Sequence, residues 1–546
     1  MTFASIALLL VFWAFSVIHL DRFPTVHQDE PWILSPGYKL FSQGVYGSDL
    51  LAGYYGMERH YFEFMPLMSI LQGLAARFFG LGVLQMRFVP VSLGALTLAL
   101  TYAIARRLAG RIVGTLAMLL MILWQWTPAS GPVLNSGVPL VDLSRIARYD
   151  ILAAWLGLGA LWFFVAARET RRRRYDFLSG LLAGLSGLAH LYGLFWIPAL
   201  LVVTGVEGLR QVKDSYHEVT KAQSSQSISS CLPVLVVKSQ AIPGVLMLTG
   251  AALPWSIWLG YIALNWNDFT GQFQIAQRDG RFQLSDGSFY FGNFLDEWHR
   301  YLPTGWHAAT PTRAGFWLLA VGVPIALLWL IVRALRHSDR RAMWLAVPVA
   351  MLPILFALLV KLKSFNYLIS VAPLFAVAIA WPIARWLRSP RRTVRLTAAG
   401  LLALVAAQGL SGVMQMQFVA SRAPSSEAFF TELRRAVPPK ARVLGLPQYW
   451  LGLTDREYRS FALPFYLSDP ASNRDAISFE AALDRIAPQY MLIDPPVIGA
   501  LTDQSTRRNR AVTAEFWSYM RRHQARLIRE LREPGGTTVS VYRLDQ

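Results

Sequence analysis

Eleven apolar segments divide the sequence, near residues 3–20, 84–105, 112–126, 151–167, 177–190, 192–208, 241–263, 314–332, 342–360, 367–387 and 396–414. A bilayer core about 30 Å thick takes roughly 20 mostly apolar residues per helix. The recurrence therefore predicts a polytopic α-helical membrane protein. Composition agrees: 16% of the 546 residues are charged and 54% hydrophobic, with a mean hydropathy of +0.36. A soluble chain carries about 25% charged residues, so a disordered protein is excluded and an ordinary cytosolic enzyme disfavoured. The single cysteine, Cys231, excludes an intramolecular disulfide framework and any multi-cysteine zinc module.

The charge of +19 is an orientation signal. With the N-terminus inside, the inside loops hold Arg106, Arg107 and Arg111; Arg168 and Arg171 to Arg174; Arg210, Lys213, Lys221 and Lys238; Arg333, Arg336, Arg340 and Arg341; and Arg385, Arg388, Arg391, Arg392 and Arg395. Every dense basic cluster between spans then falls on one side, as cytoplasmic loops require. Treating 177–208 as one bent helix would break that pattern, so two spans are predicted. The basic residues thus face membrane lipids, and nucleic acid is not an expected partner. The first span lacks a basic leader and a small-x-small site before Asp21-Arg22, so it is expected to stay as an anchor. The chain is predicted to be a multi-pass protein of the inner (plasma) membrane.

Three predicted outside loops, 21–83, 127–149 and 264–312, far exceed the usual 2–8 residues of bundle connections. Arg77 in the partly apolar stretch Phe62–Phe79 predicts a helix at the membrane interface. The Ser/Gln/Lys-rich inside loop 209–240 reads as a mobile connector without chemistry. Beyond about 415 the composition becomes soluble. Strand-like runs at Arg442–Leu446, Tyr490–Ile493 and Thr538–Tyr542 alternate with helical patterns at Ser425–Ala436 and Thr513–Leu531. Residues 1–414 are thus expected to form a transmembrane domain, and 415–546 a small α/β domain placed outside by parity. No GxxxxGK[ST] phosphate loop is present, which argues against a nucleotide-driven pump.

Three constellations can carry chemistry. The acidic pair Asp29-Glu30 follows the first span and precedes Pro31. These carboxylates either favour a helix N-terminus, where the dipole stabilises them, or supply a general base at the bilayer surface. Arg145, Arg148 and Asp150 stand at the start of the fourth span. A carboxylate at a membrane entrance needs a partner or a watery cavity, so a local ion pair of Arg145 or Arg148 with Asp142 or Asp150 stands beside a functional role. Lys361, Lys363 and Tyr367 lie between the ninth and tenth spans, where lysines either snorkel to lipid or bind a specific phosphate. Arg278 and Arg281 add cations suited to a phosphate clamp. His190 has the setting of a packed side chain, and Trp124 and Trp126 are most simply interface anchors. No His/Asp/Glu spacing argues for zinc.

In order along residues 1–390, these features resemble the GT-C superfamily of membrane glycosyltransferases. The likeness is strongest to the branch of protein O-mannosyltransferases, lipid A aminoarabinose transferases and rhizobial galacturonosyltransferases. It is carried by Asp29-Glu30 with Gly44 some way on, and by Glu63-Phe64-Met65-Pro66-Leu67, similar to the family's Glu-Lys-Pro-Pro-Leu. It continues through Arg148-Tyr149-Asp150, Gly-Leu-Ala-His-Leu-Tyr-Gly at 187–193, and Lys363 with Tyr367 and Pro373. Phe64 departs from the aminoarabinose transferases' lysine, and Ile33 from an arginine they carry shortly after the acidic pair.

The resemblance implies transfer of a monosaccharide from a polyprenyl-phosphate carrier, with inversion, to an extracytoplasmic lipid, polysaccharide or protein acceptor. Asp29, Glu30 and Asp150 become the catalytic candidates. Arg148, Glu63, Arg278, Arg281, Lys361, Lys363, Tyr367 and His190 become the substrate-binding ones. No cofactor is implied, and a divalent metal is left open. The competing readings are a secondary transporter, which should show repeated halves, and a non-catalytic envelope assembly protein.

Overall fold

A computed structural model describes residues 2–128, 136–222, 232–278, 285–301, 313–503 and 505–545; side chains within 211–240 and at 276, 278 and 507 lie outside the description. From the N-terminus run α1 (Phe3–Val17), α2 (Asp29–Gln43), α3 (Pro66–Phe79), α4 (Val83–Ala109) and α5 (Arg111–Leu123). A short α6 (Pro139–Ser144) leads into α7 (Asp150–Thr170) and α8 (Arg174–Ala189). After a 3₁₀ turn, Leu191–Phe195, come α9 (Trp196–Ala222) and α10 (Leu232–Leu264). Loop 264–312 contributes α11 (Trp266–Arg278), α12 (Gly287–Leu295) and α13 (Trp298–Tyr301). Then α14 (Ala314–Trp317) passes through a π turn into α15 (Val323–Arg336), followed by α16 (Arg340–Leu359), a 3₁₀ turn Phe365–Ser370, α17 (Ala372–Leu387) and α18 (Arg392–Arg422).

Each predicted apolar segment falls on a helix. Seven described helical stretches are long and apolar enough to cross a membrane, and α1, α5 and α17 are shorter apolar helices. The break between α8 and α9 keeps 177–208 as two helices. Two expectations change. Helix extends into both ends of 209–240, through Ala222 and from Leu232, while Cys231 lies outside the described residues. Trp124 and Trp126 are core side chains, 1% and 2% exposed, instead of interface anchors. Trp124 Nε1 donates to the Gly315 carbonyl at 2.8 Å, and the Trp126 ring stacks on Phe375. Indole buried with its N–H satisfied belongs inside a bundle as readily as at its rim.

α2 and α3 pack so closely that a Cβ on Gly37 would lie 1.7 Å from the Ser69 carbonyl oxygen. Gly44 closes α2 with φ +75°, a left-handed C-cap that glycine adopts at little cost. α3 carries Phe78 and Phe79 exposed beside Arg77.

Beyond α18, α19 (Ser426–Ala436) precedes a five-stranded sheet of β1 (Arg442–Gly445), β2 (Glu457–Ser460), β3 (Tyr490–Ile493), β4 (Arg526–Arg532) and β5 (Thr538–Arg543). The order is β2-β1-β3-β5-β4, with β2, β1 and β3 parallel and β5 antiparallel to both its neighbours. Alternation along the strands sends Val443, Leu492 and Val541 to one face and Leu444, Met491 and Ile493 to the other. The first face shares a core with Leu34 of α2 and Met86 of α4. The helix expected over Thr513–Leu531 ends early: α20 (Ala462–Leu467), α21 (Phe479–Ile486) and α22 (Pro495–Thr502) precede α23 (Arg507–Arg522), and the stretch from Arg526 is the edge strand β4. Nearly every β4 residue is exposed, so its sequence carries no strand-like alternation.

Candidate active site

The N-terminus of α2 presents Asp29 and Glu30 to different surroundings. Glu30 is fully buried and accepts from Arg87 Nε at 3.0 Å and Nη2 at 2.8 Å, from the Ala147 amide at 2.7 Å and from the His27 amide at 2.8 Å. Arg87, equally buried on α4, also donates to the carbonyls of Leu20, Pro24 and Thr25. This saturated bidentate pair ties α2, α4 and the loop before α7 together. Glu30, grouped with Asp29 by sequence as a catalytic candidate, therefore has no lone pair directed at a substrate and fits a positioning role. Removing one member of a buried pair typically costs about 3–5 kcal/mol. Glu30→Ala should accordingly lower the thermal unfolding midpoint in detergent markedly, whereas Asp29→Asn should barely move it; equal, small shifts would contradict this division.

Asp29 points the other way. Arg148 Nη1 donates to Asp29 Oδ2, and Arg148 Nε donates to Asp150 Oδ2 at 2.9 Å. One guanidinium thus bridges two carboxylates. The ion pair of Arg148 with Asp150 expected from sequence is present; Arg145 and Asp142 take other roles. Arg145 donates to the carbonyls of Phe15, Ser16, Ile18, His19 and Phe23, satisfying the open C-terminal end of α1. Asp142 accepts from the amides of Ser136 and Gly137. Exposure separates the carboxylates: the Asp29 side chain is 18% exposed, that of Asp150 1% and that of Glu30 none. Among the three, Asp29 alone can meet an incoming molecule without rearrangement.

From Asp150 the polar path continues inward. Tyr192 in the 3₁₀ turn donates to Asp150 Oδ1 at 2.6 Å. Its ring lies 4.9 Å from that of Tyr367, and His190 packs against Tyr149, Tyr192 and Tyr367 at 4.4, 3.9 and 5.4 Å. His190 Nδ1 also caps the turn by accepting from the Tyr192 amide. Over the Tyr367 ring, at 5.7 Å, sits the guanidinium carbon of Arg300, a cation–π contact.

Arg300 is fully buried and donates to Glu297 Oε1 at 2.8 Å and Oε2 at 3.3 Å. Lys363, with a side chain 7% exposed, donates to Glu297 Oε2 at 2.9 Å and to the Ala357 carbonyl at 3.0 Å. Burial holds the Lys363 ammonium below its usual range, opposed by Glu297. No acidic residue is near Lys363 in sequence, yet the fold supplies one from 66 positions away. Beside this cluster lies an apolar cavity of about 490 Å³, lined by Trp298 and Tyr301 together with Phe316, Val323, Pro353 and Phe375.

Of the other candidates, Glu63 is half-buried ahead of α3, next to Phe64, whose ring packs on Tyr149 at 5.6 Å. Lys361 is exposed in the turn just after α16, away from the burial that marks Lys363. Arg278 ends α11 with its side chain outside the description, and Arg281 lies outside the described residues. The sequence patterns did not single out Arg87, Glu297 and Arg300. Arg87 carried a usable signal, a cation within an apolar run; the other two did not. No group of three or more His, Cys, Asp or Glu side chains fit to hold a metal occurs among the described residues. Asp29 and Asp150 already share Arg148 as counter-charge.

Seven described helical stretches long and apolar enough to cross a membrane, with the small C-terminal sheet, give a mostly helical, polytopic architecture. No family model and no curated protein sequence matches the chain. Solved structures do. ArnT from Cupriavidus metallidurans in the apo state aligns over 98% of this chain and 97% of its own, at 15% identity and TM-score 0.57. The same protein bound to undecaprenyl phosphate gives TM-score 0.54 at 16% identity over the same shares. The archaeal oligosaccharyltransferase AglB from Archaeoglobus fulgidus, in complex with an inhibitory peptide and a dolichol-phosphate, aligns over 98% of this chain and 74% of its own, at 13% identity and TM-score 0.52.

Proposed function

We propose that the protein is an inverting membrane glycosyltransferase that moves a monosaccharide from a polyprenyl-phosphate carrier to an extracytoplasmic lipid, polysaccharide or protein acceptor. The observation that carries this reading is the continuous path from a partly open carboxylate, Asp29, through Arg148, Asp150, Tyr192 and Tyr367 to the buried cations Arg300 and Lys363. The likeness to ArnT and AglB, whose structures contain undecaprenyl phosphate and dolichol-phosphate, supports it.

Each end then has a task. Asp29 takes the proton of the acceptor hydroxyl as its oxygen attacks the anomeric carbon. The bond from that carbon to the phosphate oxygen breaks, its electron pair passing to the carrier phosphate. Lys363 and Arg300 stabilise this leaving group where water is excluded and their charges act strongly. Arg148 holds Asp29 in place, and Asp150 with Tyr192 holds Arg148. The apolar cavity beside Trp298 and Tyr301 accommodates the carrier's hydrocarbon chain, so only the headgroup enters the polar path.

In a strain lacking the protein, mass spectrometry should show one monosaccharide missing from a surface glycolipid, polysaccharide or protein, with its polyprenyl-phosphate form accumulating. Unchanged surface glycans and carrier pools would refute the reading. The orientation has its own test. Gly499 is exposed on α22 with open space where a Cβ would sit, so Gly499→Cys should react with a membrane-impermeant thiol reagent added to intact cells. Cys231 should react only after permeabilisation; the opposite pattern inverts the topology.

A further inference from the structure

Glu297 occupies an unusual place for a carboxylate, between two cations buried at the proposed phosphate site. It accepts from Arg300 at both oxygens and from Lys363 at one, all within 3.3 Å, and its side chain is 14% exposed. Arg300 is held besides by a bond to the Ser364 carbonyl at 3.1 Å, and Lys363 by the Ala357 carbonyl. Arg300 Nε and Nη2 are spent on Glu297, so the carboxylate both positions the guanidinium and neutralises it. A neutral amide of the same shape could still accept from both cations, so what the carboxylate adds beyond its hydrogen bonds is charge. Two cations alone offer +2; with Glu297 the cluster offers +1, and the neighbouring Asp296, exposed and screened by water, adds a weaker pull on Lys363.

We infer that Glu297 is an internal counter-ion that matches this site to a phosphodiester and against a phosphomonoester. The inference rests on Lys363 and Arg300 being the carrier-phosphate site. A polyprenyl-phosphate sugar is a diester and carries one negative charge. Once the sugar has left, the carrier is a monoester, which at neutral pH bears about −1.5 to −2. A cluster of net charge +1 balances the donor but leaves the product's extra charge opposed by Glu297 at close range, where desolvation weakens screening. Glu297 thus speeds departure of the spent carrier and limits product inhibition, while the donor keeps both cationic contacts.

The test compares polyprenyl phosphate with its methyl diester, both binding to purified protein in detergent. The wild type should bind the two within about threefold of one another, despite the larger charge of the monoester. Glu297→Gln keeps the side chain's shape and removes its charge. It should tighten monoester binding on the order of tenfold and leave the diester nearly unchanged, with product inhibition rising in parallel. If Glu297→Gln weakens both ligands alike, the residue merely positions Arg300 and Lys363 and the inference falls. A wild type that already prefers the monoester by tenfold or more overturns it without any variant. A wild type that binds neither ligand, with Lys363→Ala unchanged, removes the phosphate site itself.

Discussion

Asp29→Asn lowers turnover by a factor of about 10²–10⁴, the usual contribution of a positioned general base, while binding of the lipid donor survives. The amide keeps the volume of the carboxylate and still offers Arg148 an oxygen, so the bridge to Asp150 persists with one charge fewer. What disappears is proton affinity at the one carboxylate of the set that an acceptor can reach. Because a base acts mainly in the transition state, the loss should fall on kcat and kcat/KM together. Asp150→Asn should be milder, since Asp150 is buried and works through Arg148 and Tyr192. Near-normal turnover in Asp29→Asn beside a dead Asp150→Asn would place the base in the other loop. Full activity in both would make these carboxylates structural.

Lys363→Ala and Arg300→Ala each raise the apparent KM for the lipid donor by about 10- to 150-fold, the equivalent of the roughly 1.5–3 kcal/mol typical of a hydrogen bond to a charged group. Both substitutions leave Glu297 with fewer donors, so donor titration should be paired with a thermal unfolding curve. Lys363→Arg, which retains the charge, should recover part of the affinity. Donor dependence that stays flat in folded Lys363→Ala and Arg300→Ala protein removes the phosphate assignment. Lys361→Ala, at an exposed position, should leave donor affinity close to wild type.

The helices were legible because burial in lipid imposes one rule on every span, a long apolar run with its backbone satisfied internally. Arg171–Arg174 sufficed to separate α8 from α9, since a single span there would leave basic clusters on both sides of the membrane. Strand β2, Glu457–Ser460, escaped notice because it is short and charged, with only Tyr458 and Ser460 turned inward. Strand β4 escaped because an exposed edge leaves no alternating pattern. In the site, Asp29, Arg148 and Asp150 stood out because each lies where a loop meets a helix. The division between Asp29 and Glu30 was not legible, since adjacent acids acquire opposite fates only when α2 is fixed against Arg87. The meeting of Lys363 with Glu297 and Arg300 is a tertiary event between two loops, and nothing local to Trp298-His299-Arg300-Tyr301 announces it.

The central claim is that Asp29 at one end of the buried path and Lys363 with Arg300 at the other form a single active site for sugar transfer. It is tested most directly by incubating purified protein with a panel of polyprenyl-phosphate monosaccharides and candidate acceptors, and following carrier phosphate and sugar together. One donor should release polyprenyl phosphate in step with an acceptor glycoside of inverted anomeric configuration, and Asp29→Asn should lower both signals together by about 10²–10⁴-fold. Sugar crossing vesicle membranes without release of polyprenyl phosphate, or no release from any donor by folded protein, would contradict the account.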